Sequence, residues 1–197
     1  GQTLVRTFGL FETSDGAEIN YRLARQIEVL FCEQDPQTHE ARHFALDLCR
    51  TSEPNQLILA CLEPGASLAE TLDRLDGKIA AHPPEPWQRF DAHGFLAVPV
   101  LHWRIVHHFR ELEGHDKVLG NAGWTNYWIA QARQMVHFRL DRSGVSVGSE
   151  GGMAAEAEAN SYCFTRPFLI VMKKRGAARP FFVMWVDNAE LLCAHDG

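Results

Sequence analysis

The sequence lacks the features that identify most nucleic-acid-binding and membrane-spanning proteins. Its formal net charge is −6, and its longest run of basic residues is Lys173, Lys174 and Arg175. Binding to a nucleic-acid backbone relies on clustered lysines and arginines, so we predict no nucleic-acid partner. No apolar run approaches the roughly 20 residues that a helix needs to cross a bilayer, so we predict no membrane span.

The cysteines and histidines give little sign of a disulfide framework or a metal site. The five cysteines are odd in number and widely spaced, and most lie in apolar runs, which is typical of small buried side chains. The histidines considered as metal ligands have no metal-binding spacing; they are His102, His107, His108, His115 and His137. We therefore predict neither a metal nor a cofactor.

The composition is that of a folded protein with one core. Hydrophobic residues make up 46% of the 197 residues, and charged residues make up 22%. This balance can bury a sizeable core, and the length favours one domain, so we predict a single domain over residues 1–197. The compartment is left open, because both secretion and a cytoplasmic location fit the sequence.

Hydrophobic periodicity predicts a strand-rich chain. Strands are predicted at residues 27–31, 44–48, 57–62, 95–103, 136–140, 168–172 and 181–185. The alternation in 44–48 indicates a half-buried strand, whereas the continuous apolar run 57–62 indicates a strand buried on both faces. Pro99 suggests an edge or bulge. The last two strands predict a hairpin at the centre of the core.

Helices are predicted at two places. Ser67 and Glu70 have the spacing of a capping box. The helix that follows carries one apolar face, formed by Leu68, Leu72, Leu75 and Ile79. The apolar spacing in residues 105–112 predicts a short helix with Gly114 as its C-cap. The fold class predicted is α+β, with antiparallel sheets and a few packed helices.

The C-terminal part of the sequence resembles the serpins. Residues 162–172 are similar to the family's C-terminal signature, in which an aromatic residue, an Asp or Asn, a basic residue and Pro-Phe open a buried strand. The matching residues are Phe164, Arg166, Pro167 and Phe168, and only Thr165 departs from the pattern. Residues 136–144 resemble the strand and hinge before the serpin reactive loop. The resemblance spans nearly the whole chain but only the C-terminal, sheet-rich half of the family's fold.

The resemblance implies a reactive-loop-like segment at residues 145–160. Its residues of interest are Gly144, Val145, Glu156, Glu158 and Asn160, with the bait bond near the last three. Family hinges carry an acidic residue just before the glycine, but this chain has Arg142 and Ser143. Glu150 also interrupts the small, uncharged residues that an inserting segment requires. These departures favour an inhibitor that has lost its activity.

The resemblance also implies a protein partner. In an inhibitory serpin the cleaved loop inserts into a large sheet, and one wall of that slot comes from the N-terminal half of the fold. We therefore expect residues 135–141 to form a strand with one open edge, which favours pairing with another chain. The expected occupant is a second copy of the protein, a separate N-terminal half, or this chain's own loop or N-terminal arm.

The function predicted is that of a non-enzymatic, non-inhibitory interaction protein related to serpins. The alternative is an inhibitor of serine or cysteine proteases, or a substrate-like decoy, acting through residues 145–160. A small-molecule hydrolase is a third reading, and it requires a pocket that brings Cys49 or a serine against a histidine.

Aromatic residues suggest one more interaction site. Tryptophans are more often core residues than ligand contacts, and that is the ordinary interpretation of the five in this chain. Alternatively, Trp124, Tyr127 and Trp128 form an exposed aromatic patch.

Overall fold

Short strands dominate the computed structural model, which describes residues 5–10, 24–38, 40–83, 90, 94–117, 119–120, 123–124, 126–141 and 161–194. The strands are β1 (Thr7–Leu10), β2 (Glu28–Gln34), β3 (Ala41–Asp47), β4 (Asn55–Cys61), β5 (Phe95–Pro99), β6 (Leu101–His108), β7 (Arg133–Leu140), β8 (Ser161–Cys163), β9 (Phe168–Lys174) and β10 (Phe182–Val186), and helix α1 is Leu68–Ala81. The predicted α+β class is confirmed. No described helix has the length and apolar character to cross a membrane.

The chain divides into two compact units, one formed by Gly1–Val100 with Asp141–Gly197 and the other by Leu101–Leu140. The larger unit contains a five-stranded antiparallel sheet in the order β10-β9-β4-β3-β2. It also contains a smaller sheet in which β5 lies between β1, its antiparallel neighbour, and β8, its parallel neighbour. The prediction of a single domain over residues 1–197 stays a prediction.

Both faces of the five-stranded sheet are covered. On one face Ala45, Ile58 and Leu169 belong to a buried cluster that includes Leu75 of α1. On the other face the Phe44 ring packs edge-on against the Tyr162 ring, with 5.1 Å between the ring centroids. The prediction that 44–48 is half-buried is therefore wrong for β3, whereas the prediction that 57–62 is buried on both faces is confirmed.

Helix α1 begins where the capping residues predict. Ser67 Oγ accepts a hydrogen bond from the Glu70 amide at 3.2 Å, and Glu70 Oε2 accepts one from the Ala66 amide at 2.7 Å. The helix packs on the sheet through Leu75, whereas Leu68 is 46% exposed. The predicted apolar face is thus used from its second turn onwards.

The C-terminal hairpin forms as predicted but does not lie at the centre of its sheet. Five pairs join β9 to β10, and Gly176 in the turn between them has φ +77°, a conformation that favours glycine. Strand β9 lies between β10 and β4, and β10 is an edge strand among the described residues. The hairpin therefore contributes only its first strand to the interior of the sheet.

The smaller unit is built on a ribbon of two antiparallel strands, β6 and β7. The helix predicted for 105–112 is wrong, because residues up to His108 belong to β6 and only Arg110–Leu112 form a single 3₁₀ turn. Ile105 and Val106 are β-branched and pair directly with Val136 and Met135 of β7. Long-range pairing therefore overrides the helical spacing.

A fully buried carboxylate joins two turns of the five-stranded sheet. Asp47 Oδ2 accepts hydrogen bonds from Gln56 Nε2 and from Arg175 Nη1, both at 2.9 Å, and Oδ1 accepts one from the Cys49 amide at 2.8 Å. Arg175 Nη2 also donates to the Cys49 carbonyl at 2.8 Å. The turn after β3 is thus bound to the turn after β9.

We predict that Asp47→Asn lowers the free energy of unfolding by about 3 kcal/mol, because an amide turns a donor toward the donors of Gln56 and Arg175. The measurement is urea denaturation followed by tryptophan fluorescence. The matched control is Glu53→Gln, since Glu53 also faces Arg175, at 3.8 Å, but is 74% exposed. Equal effects of the two substitutions would contradict the structural role of Asp47.

A second ionic cluster connects α1 to the sheet. Glu33 of β2 accepts a hydrogen bond from Lys78 Nζ of α1 at 2.6 Å, and its other oxygen lies 3.1 Å from His43 Nδ1. Partial burial acts to raise the pKa of Glu33, but the hydrogen bonds from Lys78 and His43 outweigh burial and hold that pKa below its ordinary value.

The lowered pKa predicts how Glu33 contributes to stability at different pH. The contribution is complete above the ordinary carboxyl pKa and is lost as the pH falls through the lower pKa of the folded state. The stability difference between the native chain and Glu33→Gln should therefore shrink from about pH 5 to about pH 3. Denaturation midpoints across this range test it, with Glu40→Gln as the exposed control. A difference independent of pH would contradict it.

Candidate functional site

The sequence predicts that a partner binds at an open edge of β7. Eight consecutive pairs join β7 to β6, from Leu101 with Leu140 to His108 with Arg133, and no register shift interrupts them. On its other side β7 has no strand neighbour among the described residues. The strand expected at residues 135–141 and its one-sided pairing are therefore both present in the described part of the chain.

The ladder geometry identifies which residues face the open edge. The Phe109 amide donates to the Ala132 carbonyl at 2.8 Å, immediately beyond the last pair of the ribbon. In antiparallel strands, bonded and non-bonded pairs alternate. Continuing that alternation, Gln134, Val136 and Phe138 bond to β6. The amides and carbonyls of Arg133, Met135 and His137 consequently point to the open edge.

In the two sheets of the larger unit, the described edge strands are shorter or irregular. Strand β2 has two register shifts, which bend an edge and interrupt pairing. Strands β10 and β8 have five and three residues. The ribbon strands have eight residues each with a regular register, so they provide the longest regular edges among the described residues.

The two faces of the ribbon differ in chemistry. On one face Leu101 pairs with Leu140 and Trp103 pairs with Phe138, and the Trp103 and Phe138 rings stack with 5.4 Å between centroids. The opposite face is exposed throughout and carries three arginines, three histidines and no acidic residue. Its residues are His102, Arg104, Val106 and His108 of β6, and Arg133, Met135, His137 and Arg139 of β7. We call this the basic face.

Two imidazoles form a hydrogen bond on the basic face. His102 Nε2 lies 2.9 Å from His137 Nε2, so one ring donates and the other accepts. The two residues lie on adjacent pairs of the ribbon, since His102 pairs with Arg139 and His137 pairs with Arg104. The imidazoles and arginines thus place only neutral or positive groups on this face.

The aromatic residues predicted as a patch are all exposed. Trp124 is 55% exposed, Tyr127 is 63% exposed and Trp128 is 42% exposed. The Trp124 and Tyr127 rings contact each other, with 5.7 Å between centroids, whereas the Trp128 ring lies 3.6 Å from that of His115. Whether these aromatic residues bind a partner stays a prediction.

The reactive-loop-like residues lie outside the described part of the chain. They are Gly144, Val145, Glu156, Glu158 and Asn160. Their assignment to a loop that once served as protease bait stays a prediction.

The serpin-signature residues lie at the junction of the two sheets of the larger unit. Phe164 and Phe168 are buried and pack ring to ring, with 5.3 Å between centroids, and Phe164 also packs against Phe44. Pro167 is exposed, and Arg166 Nη2 donates to the carbonyl of Arg42. The two aromatic residues therefore stabilise the core, while Arg166 connects the segment before β9 to β3.

A cavity of about 520 Å³ lies beside Arg166 and was not predicted from the sequence. Its lining includes Arg42, Arg166, Ser161 and Cys163, and Ser161 Oγ lies 3.6 Å from Cys163 Sγ. None of the described residues that line it is a histidine. The described lining therefore places no serine or cysteine against a histidine, and the hydrolase alternative stays a prediction.

A His-Glu-x-x-His motif at residues 39–43 was also missed. In zinc proteases this spacing places both histidines on one face of a helix. Here His43 belongs to strand β3 and not to a helix, and His39 lies outside the described residues. His43 Nδ1 is 3.1 Å from Glu33 instead. In the described residues no three His, Cys, Asp or Glu side chains are grouped as metal ligands.

The cysteines form no disulfide. Cys32 and Cys61 are buried, and burial raises the pKa of the Cys61 thiol to about 12. Cys49, the candidate nucleophile of the hydrolase alternative, also has a raised pKa, because burial and the nearby Asp47 disfavour its thiolate.

Comparison with solved structures finds serpins that resemble the chain. One match is thyroxine-binding globulin in complex with thyroxine, at 11% identity and a TM-score of 0.44, covering 82% of this chain and 44% of that chain. Another is Serpin48, a highly specific serpin of the insect Tenebrio molitor, at 11% identity and a TM-score of 0.39, covering 81% and 43%. The chain spans less than half the length of either serpin. No protein-family model and no curated protein matches the sequence.

Proposed function

We propose that this chain is a non-enzymatic protein-interaction module that pairs with an extended segment of a partner along the open edge of β7. The observation that carries the proposal is an eight-residue strand of regular register that, within the described part of the chain, has a strand neighbour on one side only. An edge of this kind is a template for another strand, and natural proteins usually cover or interrupt such edges.

The partner strand binds mainly through its backbone. Its carbonyls accept hydrogen bonds from the amides of Arg133, Met135 and His137, and its amides donate to their carbonyls. Each such bond contributes about 1 kcal/mol net. Met135 is 47% exposed and also offers apolar surface to the partner.

Both strands of the ribbon have an outer edge, and we assign the partner to the edge of β7. The reason is its resemblance to the strand that precedes the serpin reactive loop and borders the insertion slot. The partner is a second copy of the chain or a separate polypeptide that supplies the N-terminal part of a serpin-like fold. In either case the partner contributes one extended strand.

A pair of proline variants tests the edge. Met135→Pro removes an amide that points to the outer edge of β7, and Val106→Pro removes the matching amide on the outer edge of β6. The two residues pair with each other and are similarly exposed, at 47% and 43%. We expect Met135→Pro to abolish protection of the β7 edge amides by an added strand, and Val106→Pro to leave it unchanged.

The measurement is amide hydrogen exchange of the full chain, alone and with an uncharged eight-residue peptide of alternating valine and threonine. Circular dichroism of each variant confirms that the ribbon is folded. Sedimentation velocity of the chain alone shows whether a second copy occupies the edge, because only Met135→Pro would then dissociate it. An equal loss of amide protection in both variants, or no protection by the peptide in the native chain, would overturn the proposal.

Protease incubation tests the non-inhibitory part of the proposal. With a panel of serine and cysteine proteases we expect cleavage, where it occurs, to release product without a complex that survives SDS. Electrophoresis of the reaction over time is the measurement. An SDS-stable covalent complex would instead favour the alternative, a protease inhibitor acting through residues 145–160.

A further inference from the structure

We infer that the segment that pairs with β7 is acidic, with carboxylate side chains at alternate positions along one face. This inference rests on the function proposed above, since it names the chemistry of the strand that docks there. It derives from the basic face of the ribbon and the direction of its side chains.

The residues that face the open edge also carry the basic side chains. Arg133 and His137 turn their amides and carbonyls outward by the ladder alternation, and their side chains lie on the basic face. Side chains of directly opposite residues in neighbouring strands lie on the same face, with Cβ atoms about 5 Å apart. Every second side chain of an added strand therefore lies beside this row.

The charge of the row selects its partner. Neither β6 nor β7 contains an Asp or Glu, so no carboxylate within the ribbon strands compensates Arg104 or Arg133. Opposite charges on directly paired residues stabilise a sheet, and like charges destabilise it. An added strand with a lysine opposite Arg133 would be repelled, whereas a glutamate at that position would form a cross-strand ion pair.

The histidines reinforce this preference. His102 and His137 share a hydrogen bond, so at least one N–H or lone pair of each ring is already used within the ribbon. Neither ring adds negative charge in any protonation state. On the other face of β7, Val136 is half-buried and favours an apolar residue at the alternate positions of the partner. The partner is thus an amphipathic strand, acidic on one face and apolar on the other.

Synthetic eight-residue peptides test the inference, with the full chain as receptor and fluorescence anisotropy as the measurement. The test peptide alternates valine and glutamate. Comparison peptides replace glutamate by lysine or threonine, or gather the same glutamates into one block. We expect the alternating acidic peptide to bind about tenfold more tightly than the threonine peptide, and the lysine peptide to bind more weakly still. Raising the salt concentration from about 0.05 M to about 0.5 M should remove most of the difference in affinity between these peptides.

Charge reversal on the protein locates the interaction. Arg133→Glu should lower the affinity for the acidic peptide about tenfold and raise the affinity for the lysine peptide. Arg110→Glu, in the 3₁₀ turn outside the ribbon, carries the same change in charge and should leave both affinities unchanged. Met135→Pro should weaken the acidic peptide as well, because the peptide binds as a strand.

The outcomes separate this inference from the function on which it rests. If the threonine peptide binds as tightly as the acidic one and Met135→Pro abolishes both, the edge pairs with strands but the acidic preference is wrong. If the block of glutamates binds as well as the alternating peptide and Met135→Pro changes neither, the basic face attracts anions without strand pairing. That result would overturn both proposals.

Discussion

A β-strand has two hydrogen-bonding edges, and the need to satisfy both of them shapes this protein more than any single contact. In the five-stranded sheet, β9, β4 and β3 satisfy both edges with neighbouring strands, and the terminal strands are either bulged or short. Among the described residues, the ribbon of β6 and β7 has the longest uninterrupted register and no such protection. The proposed function rests on that difference.

In the larger unit, one polar interaction within the apolar core connects two turns of the five-stranded sheet. Asp47 ends β3 inside the protein, and Arg175 from the turn after β9 supplies the positive charge that its carboxylate faces. The cost of burying that charge is offset by three hydrogen bonds, one of which comes from the positively charged Arg175. The same guanidinium also donates to the Cys49 carbonyl, so Arg175 connects the two turns through both a side chain and the backbone.

Local patterns in the sequence predict the elements whose determinants lie close together in the chain. The capping pair Ser67 and Glu70 defines the start of α1, and the continuous apolar run of β4 defines a strand covered on both faces. The errors arise where distant residues decide. Ile105 and Val106 fit both a helix and a strand, and only pairing with β7 selects the strand. Asp47 is polar and alternates with apolar residues, so the local pattern suggested that it faces solvent. Its partner Arg175 lies 128 residues away, where that pattern does not reach.

The candidate site shows the same division between local features, which the sequence predicts, and features that distant residues form together. The strand at β7 follows from alternation of apolar and polar residues, and its open edge follows from the serpin resemblance. The cavity beside Arg166 did not follow, because β3 and β8 lie far apart in sequence.

The distribution of charge completes the physical argument. The whole chain has a net charge of −6, yet three of its 19 lysines and arginines lie on one face of two strands that contain no acidic residue. Like charges on adjacent strands destabilise a ribbon, so such a face is unfavourable unless something of opposite charge lies beside it. Long-range attraction from the rest of the chain is weak at physiological ionic strength, where the Debye length is about 8 Å. In the proposed complex, an added strand at the β7 edge brings its carboxylates within contact distance of Arg133.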